Sequence, residues 1–353
     1  MNLFIAILLV FALAGLCDKI FGGRWHLASA FDQGLNTMGS LCLSMSGIYC
    51  IAITFLNGQT ALFQRLNEIL PFDASILSGV LLAPDMGGFA IAGKIAASPE
   101  LGMFSGLLLS STLGCLLSFV LPIALGVLKE AETSLFMNGV LFGILTLPLG
   151  LFVGGWMLGL YIPVLIIHLC PVILLCLILA FALKLAPKFC LKALTILGLS
   201  IRILGLLLFA YLAAGIFFPQ ISVVEDTLLL EALVIVLKIT VVVCGSMVAV
   251  QLALTHCKGI LRRTADVLHV NEYAAIGLFI SLATSISMLP LYEKMDRRGK
   301  LLNAAFSVSG AFCLGGQLAF VSSVADSSSV TAYLVCKLVG GIAAVLVLYR
   351  RDG

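Results

Sequence analysis

Leu81-Leu82-Ala83-Pro84-Asp85-Met86-Gly87-Gly88-Phe89 lies in the middle of an apolar run that extends over residues 75–97. Proline removes a backbone donor and the two glycines free the backbone, so a helix entering this stretch breaks there. A second run, residues 273–291, is interrupted in the same way by Ala283-Thr284-Ser285-Ile286-Ser287-Met288-Leu289-Pro290. Backbone that leaves the helix at membrane depth persists only where it is buried in protein or lines a cavity. Whether these two segments cross or turn back decides the fold.

That the setting is a membrane follows from composition. Of 353 residues, 61% are hydrophobic and 10% charged, and the mean hydropathy is +1.19. A soluble domain carries roughly 45–50% apolar and about 25% charged residues. Barrel strands alternate over about 10 residues, whereas the runs here reach the ~20 residues of a spanning helix. An all-α polytopic membrane protein is therefore expected. Eleven apolar segments run over 1–17, 36–56, 75–97, 102–128, 135–159, 161–183, 193–218, 228–254, 273–291, 301–325 and 330–349. The first reads as a span, since it lacks the basic start and small-residue cleavage site of a signal peptide. Residues 60–73 look interfacial, and residues 256–272 carry Lys258, Arg262 and Arg263. No linker or soluble domain interrupts the chain, which reads as one transmembrane domain over 1–353. No basic tract interleaved with aromatics points to nucleic acid. The 11 cysteines show no metal-ligand spacing, so neither metal nor cofactor is expected.

Charge bias tests the two interrupted segments, because cytoplasmic loops carry the Lys/Arg excess. If all eleven cross, the bias vanishes. If the third and ninth are re-entrant, every loop or terminal Lys and Arg except Arg65 and Lys94 falls on one side. Most of that effect comes from the ninth segment. The expectation is about nine full spans plus two re-entrant hairpins, with the N-terminus outside and the C-terminus inside. A shift of about 200 residues lays Leu82-Ala83 on Leu282-Ala283, Lys94 on Lys294, Ser44-Met45 on Ser246-Met247 and Phe119 on Phe320. This suggests an inverted repeat, about 1–159 and 193–349, joined by a linker span at 161–183. Transporters built this way hold their sites near the midplane at discontinuous helices.

Asp85 is the leading site candidate, since an intramembrane carboxylate costs about 2.5–3.5 kcal/mol and needs a partner, a ligand or a proton. The plainer role is to cap the following half-helix. Met86, Gly87 and Gly88 share its break, and Thr284, Ser285 and Ser287 supply hydroxyls at the second. Asn303 and Ser307 share a face one turn apart, and Gln317 follows Gly315-Gly316; both amides could instead join helices. Lys337 either counters Asp85 or snorkels to the interface. Arg202, His168, Glu231 and Lys238 are also intramembrane, with Glu231 and Lys238 spaced for a structural ion pair.

These residues also carry a resemblance. Leu82-Ala83-Pro84-Asp85-Met86-Gly87-Gly88-Phe89 resembles the LACDMGGF stretch of the EutH-type ethanolamine transporter family. Met295-Asp296-Arg297-Arg298-Gly299-Lys300, with Asn303, Ala305-Phe306, Val308-Ser309, Ala311-Phe312, Leu314-Gly315 and Leu318, is similar to its MDTRGKxxNxAFxVSxAFxLGDHLGF. Phe31, Gly34, Met38 and Gly39 resemble its FEEGFxAMG element, and Lys337, Gly340 and Gly341 its GKLIGG. The resemblance implies a multi-pass protein of the bacterial cytoplasmic membrane that brings ethanolamine into cells able to break it down. Two positions depart from it. The family's ANNIPMF is here Ala283-Thr284-Ser285-Ile286-Ser287-Met288-Leu289, without the two Asn amides, and its GDHLGF is Gly315-Gly316-Gln317-Leu318-Ala319-Phe320, without the acid.

The leading expectation is import of ethanolamine or a closely related small amine by alternating access, Asp85 serving as counter-ion to the ammonium. A channel or facilitator is the alternative. An intramembrane enzyme is disfavoured, since no HExxH, GxSxG or paired-aspartate motif occurs. A coupling ion (H+ or Na+) and homo-oligomerisation are left open.

Overall fold

Lipid offers no hydrogen-bond partner to the backbone, so segments this apolar pair their own N–H and C=O groups within helices. In the computed structural model, which describes residues 3–56, 59–256 and 258–351, no strand occurs among those residues. The terminal residues 1–2 and 352–353 lie outside them. Six helices are long and apolar enough to cross a membrane: Pro99–Val127, Ala131–Met157, Ile162–Leu185, Phe189–Phe217, Asp226–His256 and Ser327–Arg351. The chain is a multi-pass membrane protein.

Helix Pro99–Val127 is the hub, with 83% of its most apolar stretch buried against 17% for Phe189–Phe217 on the periphery. Around the hub the two halves of the chain interlock. Helix Glu130–Met157 presents Gly139, Gly143, Gly150 and Gly154 to Leu301, Ala304 and Val308 on one neighbour and to Cys336 and Gly340 on another. Small residues at that spacing let helix backbones approach closely where no hydrophobic effect drives them together. One half-buried ion pair, Lys300 to Glu132 at 2.8 Å, ties the same helices.

Several boundaries differ from those expected. The second segment starts at Ala28 rather than 36, because the buried Asp18 carboxylate accepts from the Trp25, Leu27 and Ala28 amides at 2.8, 2.7 and 2.9 Å. These satisfy donors that a helix start leaves open. The seventh begins at Pro187, a residue suited to a first helical turn. The tenth is not one helix. Arg297–Ser309 and Gly316–Val324 are separated by irregular backbone that includes Phe312 at φ +62°. The amides of Phe312 and Leu314 donate across to the carbonyls of Ser281 and Leu282, at 2.9 and 2.8 Å. The ion pair expected of Glu231 and Lys238 is not formed; both face outward, and Glu231 accepts from the Tyr49 hydroxyl at 3.1 Å. Seven residues put two side chains on one face but about 10 Å apart along the axis.

The interrupted segments both double back. Ser75–Leu81 and Gly88–Ile95 flank a single 3-10 turn, Pro84–Met86. Their outer ends meet: Asn67 Nδ2 donates to the Ile95 carbonyl (2.9 Å), Asn67 Oδ1 accepts from the Ala74 amide (2.7 Å), and Asp73 accepts from the Ala97 amide (2.7 Å). The second hairpin pairs Glu272–Ala283 with the 3-10 helix Ile286–Lys294. Asn271 Nδ2 donates to the Lys294 carbonyl (2.8 Å), its Oδ1 accepts from the Ala274 amide (3.0 Å), and Asp296 accepts from the Asn271 amide (2.9 Å). An asparagine fastens the open end of each hairpin by the same pair of bonds.

Candidate functional site

The first hairpin's turn is set by its own sequence. Pro84 opens it, and the amides of Met86 and Gly88 both donate to the Ala83 carbonyl at 3.0 Å. Gly87 sits at φ +93°, with the place of a Cβ 2.5 Å from Ile48 Cγ2, so only glycine fits. Ser118 Oγ, on the hub helix, accepts from the Ala83 amide at 3.1 Å. This turn holds Asp85 half-buried at the hairpin's inner end, beside buried Met86, Gly87 and Gly88. The capping role does not apply, because helix Gly88–Ile95 receives no side-chain cap. Among the described residues no side chain donates a hydrogen bond to the Asp85 carboxylate.

Lys337 is 1% exposed, which excludes snorkelling. Its ammonium donates to the Ser111 carbonyl at 2.7 Å and to Gln317 Oε1 at 2.9 Å, and stands 5.5 Å from the centre of the Tyr333 ring. Three elements thus meet on one cation: the hub helix, which is wound as a π-helix over Phe104–Gly114, the half-helix Gly316–Val324, and the C-terminal helix. Interruptions of α-helical winding are common at functional sites. Tyr333 donates to the Phe312 carbonyl at 2.9 Å, fixing the irregular stretch, and Cys115 lies against Gln317. The first hairpin joins this group through an edge-to-face contact of Phe89 with Phe320, ring centres 5.7 Å apart. Asp85 and Lys337 are not joined by an ion pair or hydrogen bond. The ion pairs among the described residues lie elsewhere, at Lys19–Asp32, Lys129–Glu293 and Lys300–Glu132.

The second hairpin's turn is less engaged. Thr284 is half-buried, Ser287 is exposed, and Ser285 is buried with its hydroxyl unpartnered; the buried hydroxyls of Ser281 and Ser309 are also without partners. Gly315 packs so closely here that a Cβ would lie 1.8 Å from the Ala283 carbonyl oxygen. Asn303 is placed away from both turns. Its Nδ2 donates to the carbonyls of Ala274 and Gly299, each at 2.9 Å, at the open end of the second hairpin.

Of the residues singled out from sequence, Gln317 and Lys337 are brought into direct contact, Asp85 lies on the hairpin whose Phe89 packs against Phe320 of the same half-helix as Gln317, and Asn303 stands apart. Tyr333, Cys115 and the Ser111 carbonyl were missed. Tyr333 was legible, one turn from Lys337 and on its face. A backbone carbonyl leaves no such signal.

The family model described as "Ethanolamine utilisation protein, EutH" matches residues 1–350. A protein of Listeria monocytogenes named "Probable ethanolamine permease EutH" is 34% identical over 98% of this chain and 92% of its own length. One of the same name from Escherichia coli is 31% identical over 89% of this chain and 83% of its own. "Uncharacterized protein YxeR" of Bacillus subtilis is 31% identical over 96% and 91%. No solved structure matches. With the match running nearly end to end, through both hairpins and the buried lysine, the chain belongs to the EutH family of ethanolamine utilisation proteins.

Proposed function

We propose that the protein imports ethanolamine, or a closely related small amine, across the bacterial cytoplasmic membrane by alternating access, with Asp85 as the ammonium's counter-ion. The observation that carries this reading is Asp85 itself. It is a carboxylate held half-buried at the inner end of a hairpin, with no side-chain donor among the described residues, and the Phe89–Phe320 ring pair joins the same hairpin to the half-helix Gly316–Val324. Ethanolamine is mostly a cation at neutral pH. A carboxylate without a competing side-chain donor suits an ammonium, through a charge-assisted hydrogen bond. The relatives named as ethanolamine permeases supply the substrate, and their naming as permeases agrees with a transporter rather than an enzyme.

The architecture we infer is the inverted repeat with two re-entrant hairpins. The joined ends of each hairpin support re-entry. The order of elements supports the repeat: amphipathic helices Thr60–Ile69 and Lys258–Leu268 each precede a hairpin, and a buried helical segment follows each. Asn67 and Asn271 clamp Ala74 and Ala274, which are 200 residues apart in the chain. Gly114 and Gly315 each press on a hairpin carbonyl, those of Leu82 and Ala283. One repeat then covers about 1–159 and the other 193–349, with Ile162–Leu185 as linker, the N-terminus outside and the C-terminus inside.

Labelled-ethanolamine uptake into proteoliposomes, wild type beside Asp85→Asn, tests the reading. Saturable uptake that the substitution abolishes is the expected result. Uptake unchanged in Asp85→Asn would remove the counter-ion role. Uptake linear far above millimolar substrate would replace the carrier with a pore.

A further inference from the structure

Lys337 is the feature the counter-ion reading leaves without a task. A cation buried to 1% exposure in a bilayer protein is costly unless it serves something. If its task were to neutralise Asp85, the two would be paired. Instead the ammonium is held off by two neutral acceptors on two different elements, the Ser111 carbonyl and Gln317 Oε1. An ammonium has three donors. Two are engaged, and among the described residues the third has no acceptor.

The site therefore offers two complementary ends: an acceptor-only carboxylate at Asp85, and one spare N–H of a fixed cation at Lys337. Resting on the amine-transport reading above, we propose that Lys337 is the specificity-determining residue, its free N–H donating to the substrate's hydroxyl oxygen while Asp85 takes the ammonium. The ligand class is then a short amino alcohol, whose ammonium and hydroxyl ends would meet these two groups. The arrangement selects in two ways. An amine with no hydroxyl leaves a desolvated N–H unpaired, and sites built to bond a hydroxyl discriminate strongly against analogues without one. A diamine places a second ammonium against Lys337, and like charges at close range repel. Gln317 and Ser111 act as positioning groups, since they aim the lysine.

The test uses the wild-type protein in proteoliposomes. Uptake of labelled ethanolamine is competed by unlabelled ethanolamine, by ethylamine, and by doubly protonated ethylenediamine. We expect both analogues to need at least about 10-fold more than ethanolamine for half inhibition, the size of one lost charge-assisted hydrogen bond. In Lys337→Met, ethylamine should come within about 2-fold of ethanolamine, the charged donor being gone. Equal competition by ethylamine and ethanolamine in the wild type would overturn the assignment, as would a preference that survives in Lys337→Met. If that variant fails to elute as a single species, the wild-type analogue series decides alone. A wild type that takes up no amine would instead overturn the transport reading and this inference with it; uptake without hydroxyl preference would overturn only this inference.

Discussion

The two hairpins are alike where they open and unlike where they turn. At the open ends an asparagine donates to the last carbonyl of the returning arm and accepts from an amide near the start of the entering one, Asn67 in the first and Asn271 in the second. At the turns the first carries Asp85 on a proline–glycine bend beside a continuous, buried helix. The second carries serine and threonine against backbone that is itself unwound, Phe312 and Leu314 donating to its carbonyls. An open end must satisfy the same backbone groups whatever passes through the protein, so its chemistry is set by the backbone. A turn that meets a solute is set by the solute. On the proposed reading, the first hairpin takes the charged end of the substrate and the second supplies shape and polarity.

The largest effect should fall on the turns and on one of them only. Asp85→Asn is expected to lower ethanolamine uptake by about 100-fold or more, since stranding a desolvated ammonium costs roughly 3–5 kcal/mol. Uptake should fall far less in Ser285→Ala. Comparable losses in the two would mean that the second turn also grips the charged end, and would erase the contrast.

The next effect concerns how each hairpin is braced. A methyl at Gly114 would lie 2.3 Å from the Leu82 carbonyl oxygen, and one at Gly315 1.8 Å from that of Ala283. Both Gly→Ala changes should lower the thermal midpoint in detergent, by an overpacking cost of about 1–3 kcal/mol each. Gly126→Ala, with open space around it, should be neutral to about 0.5 kcal/mol. A hairpin that tolerates its methyl would be the one free to shift against its brace.

How far these distinctions were legible beforehand depended on whether they lay in side-chain chemistry or in tertiary contact. The helices and both breaks could be read, because hydropathy and the Pro84, Gly87 and Pro290 punctuation are local. The expectation that both segments turn back rested on the charge bias of the loops, which bears mainly on the ninth segment, together with the offset of about 200 residues; the structure shows each as a hairpin joined at its open end. The break at 310–315 was missed. Ala311-Phe312-Cys313-Leu314 is as apolar as any spanning stretch, and what unwinds it is a pair of carbonyls, on Ser281 and Leu282, that come from elsewhere in the chain. Asn67 and Asn271 were passed over because asparagine in a polar connection is ordinary until its partners are seen. Within the site, Asp85, Gln317 and Lys337 stood out as polar residues in apolar runs. Asn303 stood out for the same reason and proved to serve the open end of a hairpin.

A smaller effect tests whether the open ends are equivalent. Asn67→Ala and Asn271→Ala each remove two hydrogen bonds, and each should cost about 1–3 kcal/mol. Equal shifts in thermal midpoint would support a common origin for the two clamps; a loss confined to one would mean that the other hairpin is closed by its aspartate, Asp73 or Asp296.

The smallest change is expected at Ser285, and its sign carries the information. A buried hydroxyl without a partner is a burden on the fold, because its desolvation is uncompensated. Ser285→Ala in the empty protein should therefore leave the thermal midpoint unchanged or raise it, by an amount on the order of 1 kcal/mol. The informative step is to repeat the measurement with saturating ethanolamine. If the hydroxyl stays unpartnered throughout, the substrate should shift wild type and variant equally. If the second turn closes on the solute, the wild type alone gains a hydrogen bond on binding, and its ligand-induced shift should exceed the variant's. The first outcome confines recognition to the first hairpin and the buried lysine. The second brings both turns to the same molecule, differing in what they offer it: one a charge, the other a hydroxyl.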